Sequence, residues 1–303
     1  MTGAEASSAK SSGAAEAPRS EPVPDAPART VDESEFGDRV ADTLDDVADS
    51  LLTDGSVVDD DVASLDDEAV TVEAPNRPAT TKRSGKPVTA SPVLSLPRAK
   101  HPEAVALFIH GGEVNASIAM YRGDPAYLRV IPFARDVERR SHGRIGGAVL
   151  RLAVRGWNDP EKPAVQDARW ALRELRRQYP GLPLAVVGHS MGGRVALDLA
   201  TSDEGDDLAA VVGLAPWASD EYEAEPFGTT PFLGIHGRQD TVTDPAATAD
   251  LVERITAAGG DARFVDLPGW HAMLWRPMRW HKESSQFLID HLLRNGSGAP
   301  DGR

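Results

Sequence analysis

From about residue 92 onward the chain alternates between two kinds of signal, and that alternation limits its fold more than any other feature. Short apolar runs bounded by turn residues stand at 93–96, 104–109, 148–154, 182–187, 209–214, 231–235 and 262–267. Several are apolar on both faces, as strands inside a parallel sheet are. Between them lie stretches of helical periodicity. Val165, Ala168, Leu172, Leu175 and Tyr179 recur every three or four residues and line one helix face. Residues 126–141, 191–202, 245–258 and 277–293 read as helices too, and Asp244-Pro245 supplies an N-cap followed by proline at the first helical position. Strands alternating with helices imply βαβ units. The expected class is therefore α/β, a mostly parallel, doubly wound sheet with helices on both faces.

Ligand sites in such sheets lie beyond the carboxyl ends of the strands. The residues just after the apolar runs are His110-Gly111-Gly112, Trp157, Ser190, Trp217, Asp240 and His271. Ser190 sits in GHSMGG (188–193), between the apolar run LPLAVV and a helical stretch. Small residues on both sides of a sharp strand-to-helix turn relieve crowding and leave a serine hydroxyl exposed at the sheet's edge. That context favours a nucleophile over plain turn punctuation.

A serine hydroxyl needs a base. Of eight histidines, His271 lies in a loop directly after a strand and follows Ser190 and Asp240 in chain order. His236 and His281 are the alternatives. The base in turn needs an orienting carboxylate, and Asp240 stands a few residues beyond a strand end. Its rival Asp244 precedes Pro245 and reads as a helix cap. Two donors are also needed for a developing oxyanion. One is the backbone N–H of Met191; the other is that of Gly112, or of Glu113 if the loop is shifted.

HGG at 110–112, GHSMGG at 188–193, HGRQDTVTDP at 236–245 and GWHAML at 269–274 together resemble the motifs of the α/β-hydrolase fold family, in the family's order. The resemblance spans about residues 92–294. It implies a Ser190-His271-Asp240 triad, an oxyanion hole from Met191 and Gly112, and carboxylesterase-like cleavage of small or medium acyl esters or thioesters. An amidase or aminopeptidase, or an acyltransferase, is the alternative within the same fold, and a catalytically silent binding protein is a third reading. A serine at position 190 argues against haloalkane dehalogenases and epoxide hydrolases, which use a carboxylate. The chemistry implies no metal and no cofactor. Residues 216–230 leave room only for a short lid or none, so an open site is expected. Trp157, Trp217 and Trp270 follow strands and are candidate walls of a substrate pocket. Arg122, Arg155 and Arg238 lie near the same edge, where an anionic substrate would meet them.

The N-terminal part is of another kind. Residues 1–73 hold 20 acidic and 4 basic side chains, a net of −16; the whole chain is −15, which leaves about +1 for residues 74–303. A nearly neutral remainder carries no nucleic-acid footprint. Residues 1–91 are expected to be a disordered acidic tail and linker, 92–294 the folded domain, and 295–303 a disordered C-terminus. Within the tail, Phe36, Val40, Leu44, Val47 and Leu51 mark an amphipathic helical pattern over 34–53. It is a candidate element for a protein partner. There is no cysteine, hence no disulfide and no thiolate site. The start lacks a secretory apolar region and no run is long enough to span a bilayer, so a soluble cytoplasmic protein with a small-molecule substrate is expected.

Overall fold

The computed structural model describes residues 70–80, 85–203, 205–219, 227 and 229–293. The expectations for 1–69, including the helical pattern at 34–53, and for the C-terminus beyond 293 lie outside them.

The strands are β1 (Thr71–Glu73), β2 (Arg77–Thr80), β3 (Pro87–Ala90), β4 (Val93–Ser95), β5 (Ala104–Ile109), β6 (Ile145–Arg151), β7 (Leu184–His189), β8 (Leu208–Leu214), β9 (Phe232–Gly237) and β10 (Ala262–Leu267). The helices are α1 (Pro125–Arg140), α2 (Pro163–Gln178), α3 (Met191–Ala200), α4 (Pro245–Ala257) and α5 (Pro277–Leu293). Eight strands form one sheet in the order β1-β4-β6-β5-β7-β8-β9-β10. From β6 to β10 every pairing is parallel, while β1 and β4 join antiparallel at one edge.

The chain steps from β5 through α1 to β6 on one side, then through α2 to β7 on the other. Right-handed crossovers therefore put α1 and α2 on opposite faces. α5 returns to pack with α1, and α3 packs with α2. With both faces covered, β5 (AVALFI) and β7 (LAVVGH) are buried at every residue. Asp124 and Asp244 cap α1 and α4 through side-chain bonds to the N–H of Ala126 and Ala246.

The strands within residues 71–90 correct the sequence reading, which placed these residues in the disordered tail and linker of 1–91. β1 extends the main sheet, and β2 and β3 form a separate antiparallel pair. Ala79 of β2 packs on Ala153 and Val154, and Arg77 is ion-paired with buried Asp167. Among the described residues, strands are thus present from Thr71 onward. Short strands containing Pro and Thr carry little local signal. Their placement comes from partners elsewhere, and Pro78 and Pro87 are tolerated because the pair is two-stranded and all edge. β6 also lies three residues earlier than its apolar run. Gly146 and Gly147 mask its start, and Gly147 is needed there: a Cβ would come 2.5 Å from the Ala134 carbonyl of α1.

Candidate active site

Register places the motif loops side by side. Ile109 pairs with Gly188, His189 with Leu214, Leu214 with Ile235, and His236 with Asp266. The carboxyl ends of β5, β7, β8, β9 and β10 therefore form one edge, at the switch point where the chain turns from β5 to either side.

Ser190 links β7 to α3 with φ 56° and ψ −121°, in the left-handed region that a residue with a Cβ avoids. Such strain, of the order of 1–3 kcal/mol, persists only where the surroundings over-determine it. Here they do. The Ser190 N–H donates to the Leu214 carbonyl at 3.0 Å, and the Ser190 carbonyl accepts from the N–H of Arg194 and of Trp217, both at 3.1 Å. The flanking glycines make this turn geometrically accessible. A Cβ on Gly188 would stand 1.9 Å from the Gly192 carbonyl oxygen. Gly188→Ala is expected to cost about 3 kcal/mol or more by overpacking, which lowers Tm by about 6–12 °C for a domain of this size. Gly181→Ala, left-handed but facing open space, should cost only about 1–2 kcal/mol. Equal thermal shifts for the two would show that the elbow is not tightly packed.

Around the serine the side chains form a continuous hydrogen-bonded row. His271 Nε2 lies 2.9 Å from Ser190 Oγ, and His271 Nδ1 lies 2.8 Å from Asp240 Oδ2. All three residues are buried. Asp240 follows β9, and its Oδ1 accepts from the backbone N–H of Val242 at 2.8 Å and of Thr243 at 3.0 Å. Its Oδ2 faces His236 Nε2 at 3.1 Å and Thr243 Oγ1 at 3.0 Å as well as His271. Burial alone would push the Asp240 carboxyl up; the His271 and His236 rings outweigh burial and hold it well below the ordinary carboxylate range.

Thr243 and His236 are site residues that the sequence reading missed in this role. Thr243 Oγ1 touches Asp240, His271 Nδ1 at 3.1 Å and the Ala215 carbonyl at 3.2 Å. His236 is anchored on its other side by Thr248 Oγ1 at 2.9 Å from Nδ1. A threonine three residues after a turn aspartate was the one available cue.

His189 and His110 hold loops. Burial keeps the His189 imidazole far below its ordinary pKa, helped by His271 and Arg129. The neutral ring then donates through Nε2 to the His271 carbonyl at 3.1 Å, tying the loop of His271 to the residue before Ser190. Burial likewise lowers His110 to about 4. Its Nδ1 lies 2.6 Å from the Gly111 carbonyl and its Nε2 accepts from the Leu152 N–H at 3.1 Å.

Met191 opens α3, where the first backbone N–H groups of a helix have no intrahelical acceptor. Gly112 packs against it; a Cβ on Gly112 would meet the Met191 side chain at 2.6 Å and the Arg155 carbonyl at 2.1 Å. The Glu113 N–H is already given to the Arg155 carbonyl at 2.9 Å. Arg155 itself is buried between Glu113 Oε1 at 2.6 Å and Asp124 Oδ2 at 2.5 Å. It thus braces both ends of the loop joining β5 to α1 rather than facing a ligand. Arg238 pairs with Asp266.

The three tryptophans separate. Trp157 is 1% exposed. It meets Trp217 edge to face at 6.2 Å, and Arg194 packs on both rings, its guanidinium carbon 4.6 Å from the Trp157 centroid and 4.0 Å from that of Trp217. In this packing Trp157 presents almost no surface to a ligand. Trp217 bonds through its backbone to Ser190. Trp270, beside His271, is 60% exposed. Most of 216–230, where a lid would lie, falls outside the described residues. Among the described residues there is no cluster of His, Cys, Asp and Glu suited to a metal, and no helix long and apolar enough to cross a membrane.

Comparison with known proteins gives a coherent picture. Residues 137–229 match the family described as serine aminopeptidase, S33. That stretch contains Ser190 but ends before Asp240 and His271. No curated protein sequence matches the chain. Among solved structures, an esterase from Pyrococcus furiosus superposes with a TM-score of 0.52 at 16% identity, covering 78% of this chain and 98% of that one. A protein of unknown function from Agrobacterium tumefaciens, named as a candidate α/β hydrolase, gives 0.54 at 18%, covering 75% and 100%. An α/β serine hydrolase homologue from Coxiella burnetii gives 0.50 at 14%, covering 72% and 98%. At these identities the likeness is one of fold.

Proposed function

We propose that this chain, which has the fold of the α/β-hydrolase family, is a serine hydrolase that cleaves small or medium acyl esters or thioesters through an acyl-enzyme intermediate. The observation that carries the reading is the unbroken row from Ser190 Oγ to His271 Nε2 at 2.9 Å and from His271 Nδ1 to Asp240 at 2.8 Å. Ser190 Oγ attacks the carbonyl carbon as its proton passes to His271 Nε2. Asp240, kept ionised by its surroundings, holds the ring with Nδ1 protonated and stabilises the imidazolium. The N–H groups of Met191 and Gly112 receive the oxyanion. His271 then gives its proton to the leaving alkoxide or thiolate, leaving Ser190 acylated. Water, activated by His271, attacks the acyl carbon and frees the acid and Ser190. These steps require no metal or organic cofactor. Trp270 and Trp217 are the proposed walls of the acyl site; Trp157 supports Trp217 through Arg194.

The second reading, an amidase or aminopeptidase, is favoured by the match of residues 137–229 to the serine aminopeptidase family. Matched p-nitrophenyl esters and p-nitroanilides separate the two. The expected result is kcat/KM at least about 100-fold higher for the esters across acetyl to octanoyl chains. Anilide turnover equal to or above that of the ester would replace the esterase reading with the aminopeptidase one.

A further inference from the structure

The loop between β10 and α5 that carries His271, together with the first turn of α5, carries an apolar rim. Trp270, Leu274, Trp275 and Met278 each show more than half of their surface to solvent. Clustered exposure of this kind marks an interaction site. The loop is held in that position. Ala272 and Met273 are buried, the Met273 N–H donates to the Trp270 carbonyl at 3.1 Å, and the Gln239 N–H to the Gly269 carbonyl at 3.0 Å. The rim is also basic. Residues 267–282 contain no acidic side chain but include Arg276, Arg279 and Lys282, all exposed.

A second amphipathic feature lies in the sequence of the same chain. Residues 34–53 carry Phe36, Val40, Leu44, Val47 and Leu51 at helical spacing, with Glu35, Asp38, Asp42, Asp45, Asp46 and Asp49 against one Arg39, a net of −5. We propose that this acidic segment docks on the rim of its own chain, its apolar residues covering Trp270, Leu274, Trp275 and Met278 and its carboxylates facing Arg276, Arg279 and Lys282. The mode is that of an amphipathic helix on an apolar surface.

Charge selects this occupant over two others. An anionic lipid surface would attract the arginines but repel the −16 of residues 1–73. A second copy pairing rim to rim would set like charges against each other across its two-fold axis. Reach permits the contact. β1 and β10 are opposite edges of the sheet, so seven spacings of about 4.8 Å and a strand length of about 20 Å separate Val70 from the rim by about 40 Å. The sixteen residues 54–69 span up to about 55 Å when extended. Local effective concentration through such a linker lets modest affinity suffice. The docking stands apart from the hydrolase reading; only an effect on turnover at the adjoining His271 would rest on it.

Hydrogen–deuterium exchange on the full chain tests it. Peptides from 34–53 should be protected at least tenfold over those from 1–31. Arg276→Glu with Arg279→Glu should remove that protection, and adding Asp45→Lys with Asp46→Lys should restore it. Phe36→Ser with Leu44→Ser should deprotect 268–279 from the other side. The proposal is overturned if 34–53 exchanges as fast as 1–31, or if its protection survives the arginine reversals. It is equally overturned if 268–279 is protected only on phosphatidylserine vesicles, or only at concentrations where the chain dimerises.

Discussion

Ser190→Ala is expected to lower kcat for p-nitrophenyl acetate by about a million-fold and to abolish covalent labelling by a fluorophosphonate. Thermal stability should barely change. Alanine keeps the Cβ, so the strained turn at φ 56° costs the same in both proteins. The three backbone hydrogen bonds that hold the turn do not involve the hydroxyl. His271 loses one contact at Nε2 and keeps Asp240, Thr243 and its backbone tie to His189. His271→Ala should cost nearly as much alone, and the double variant little more, because members of one relay are not additive. Labelling that survives in Ser190→Ala, with the fold intact, would remove Ser190 from the nucleophile's role and the proposed function with it.

Much of this arrangement is legible in the sequence because it depends on local chemistry. The glycines around Ser190 announce a tight turn, and the apolar run before it and helical stretch after it give that turn its place at the sheet's edge. The capping role of Asp244 leaves Asp240 as the carboxylate, and the structure has Asp244 bonded to the Ala246 N–H. What escapes the sequence depends on distant partners. β1 is three residues long and exists because β4 lies beside it. His236 reads as an alternative base until the turn after β9 brings Asp240 Oδ2 to its ring. Trp157 reads as a pocket wall because it follows a strand. β6 ends at Arg151, however, and the chain then runs on to bury Trp157 against Arg194. An arginine packed against an aromatic pair cannot be inferred from spacing, since Arg194 lies on α3 and Trp157 precedes α2.

Asp240→Asn should lower kcat by about ten-thousand-fold while leaving the fold in place. The amide oxygen can keep the Oδ1 position and its two bonds from Val242 and Thr243. The amide nitrogen then takes the Oδ2 position and donates to His271 Nδ1, which forces the ring's proton onto Nε2. That nitrogen now faces Ser190 Oγ with a proton of its own and cannot accept another. His236 can adapt. Its Nε2 accepts from the new amide, and its Nδ1–H turns to Thr248 Oγ1 at 2.9 Å. The variant therefore separates catalysis from structure. It should fold and bind substrate with KM changed only a few-fold, since the loss falls on the transition state. In the wild type the carboxylate is held well below its ordinary pKa. Its contribution to stability is thus present above the unfolded-state value of about 3.9 and fades only as pH falls below that towards the folded one. Asp240→Asn should accordingly unfold at a less pH-dependent Tm between pH 4 and pH 2 than the wild type. Retention of more than a tenth of wild-type kcat would mean that another carboxylate orients His271.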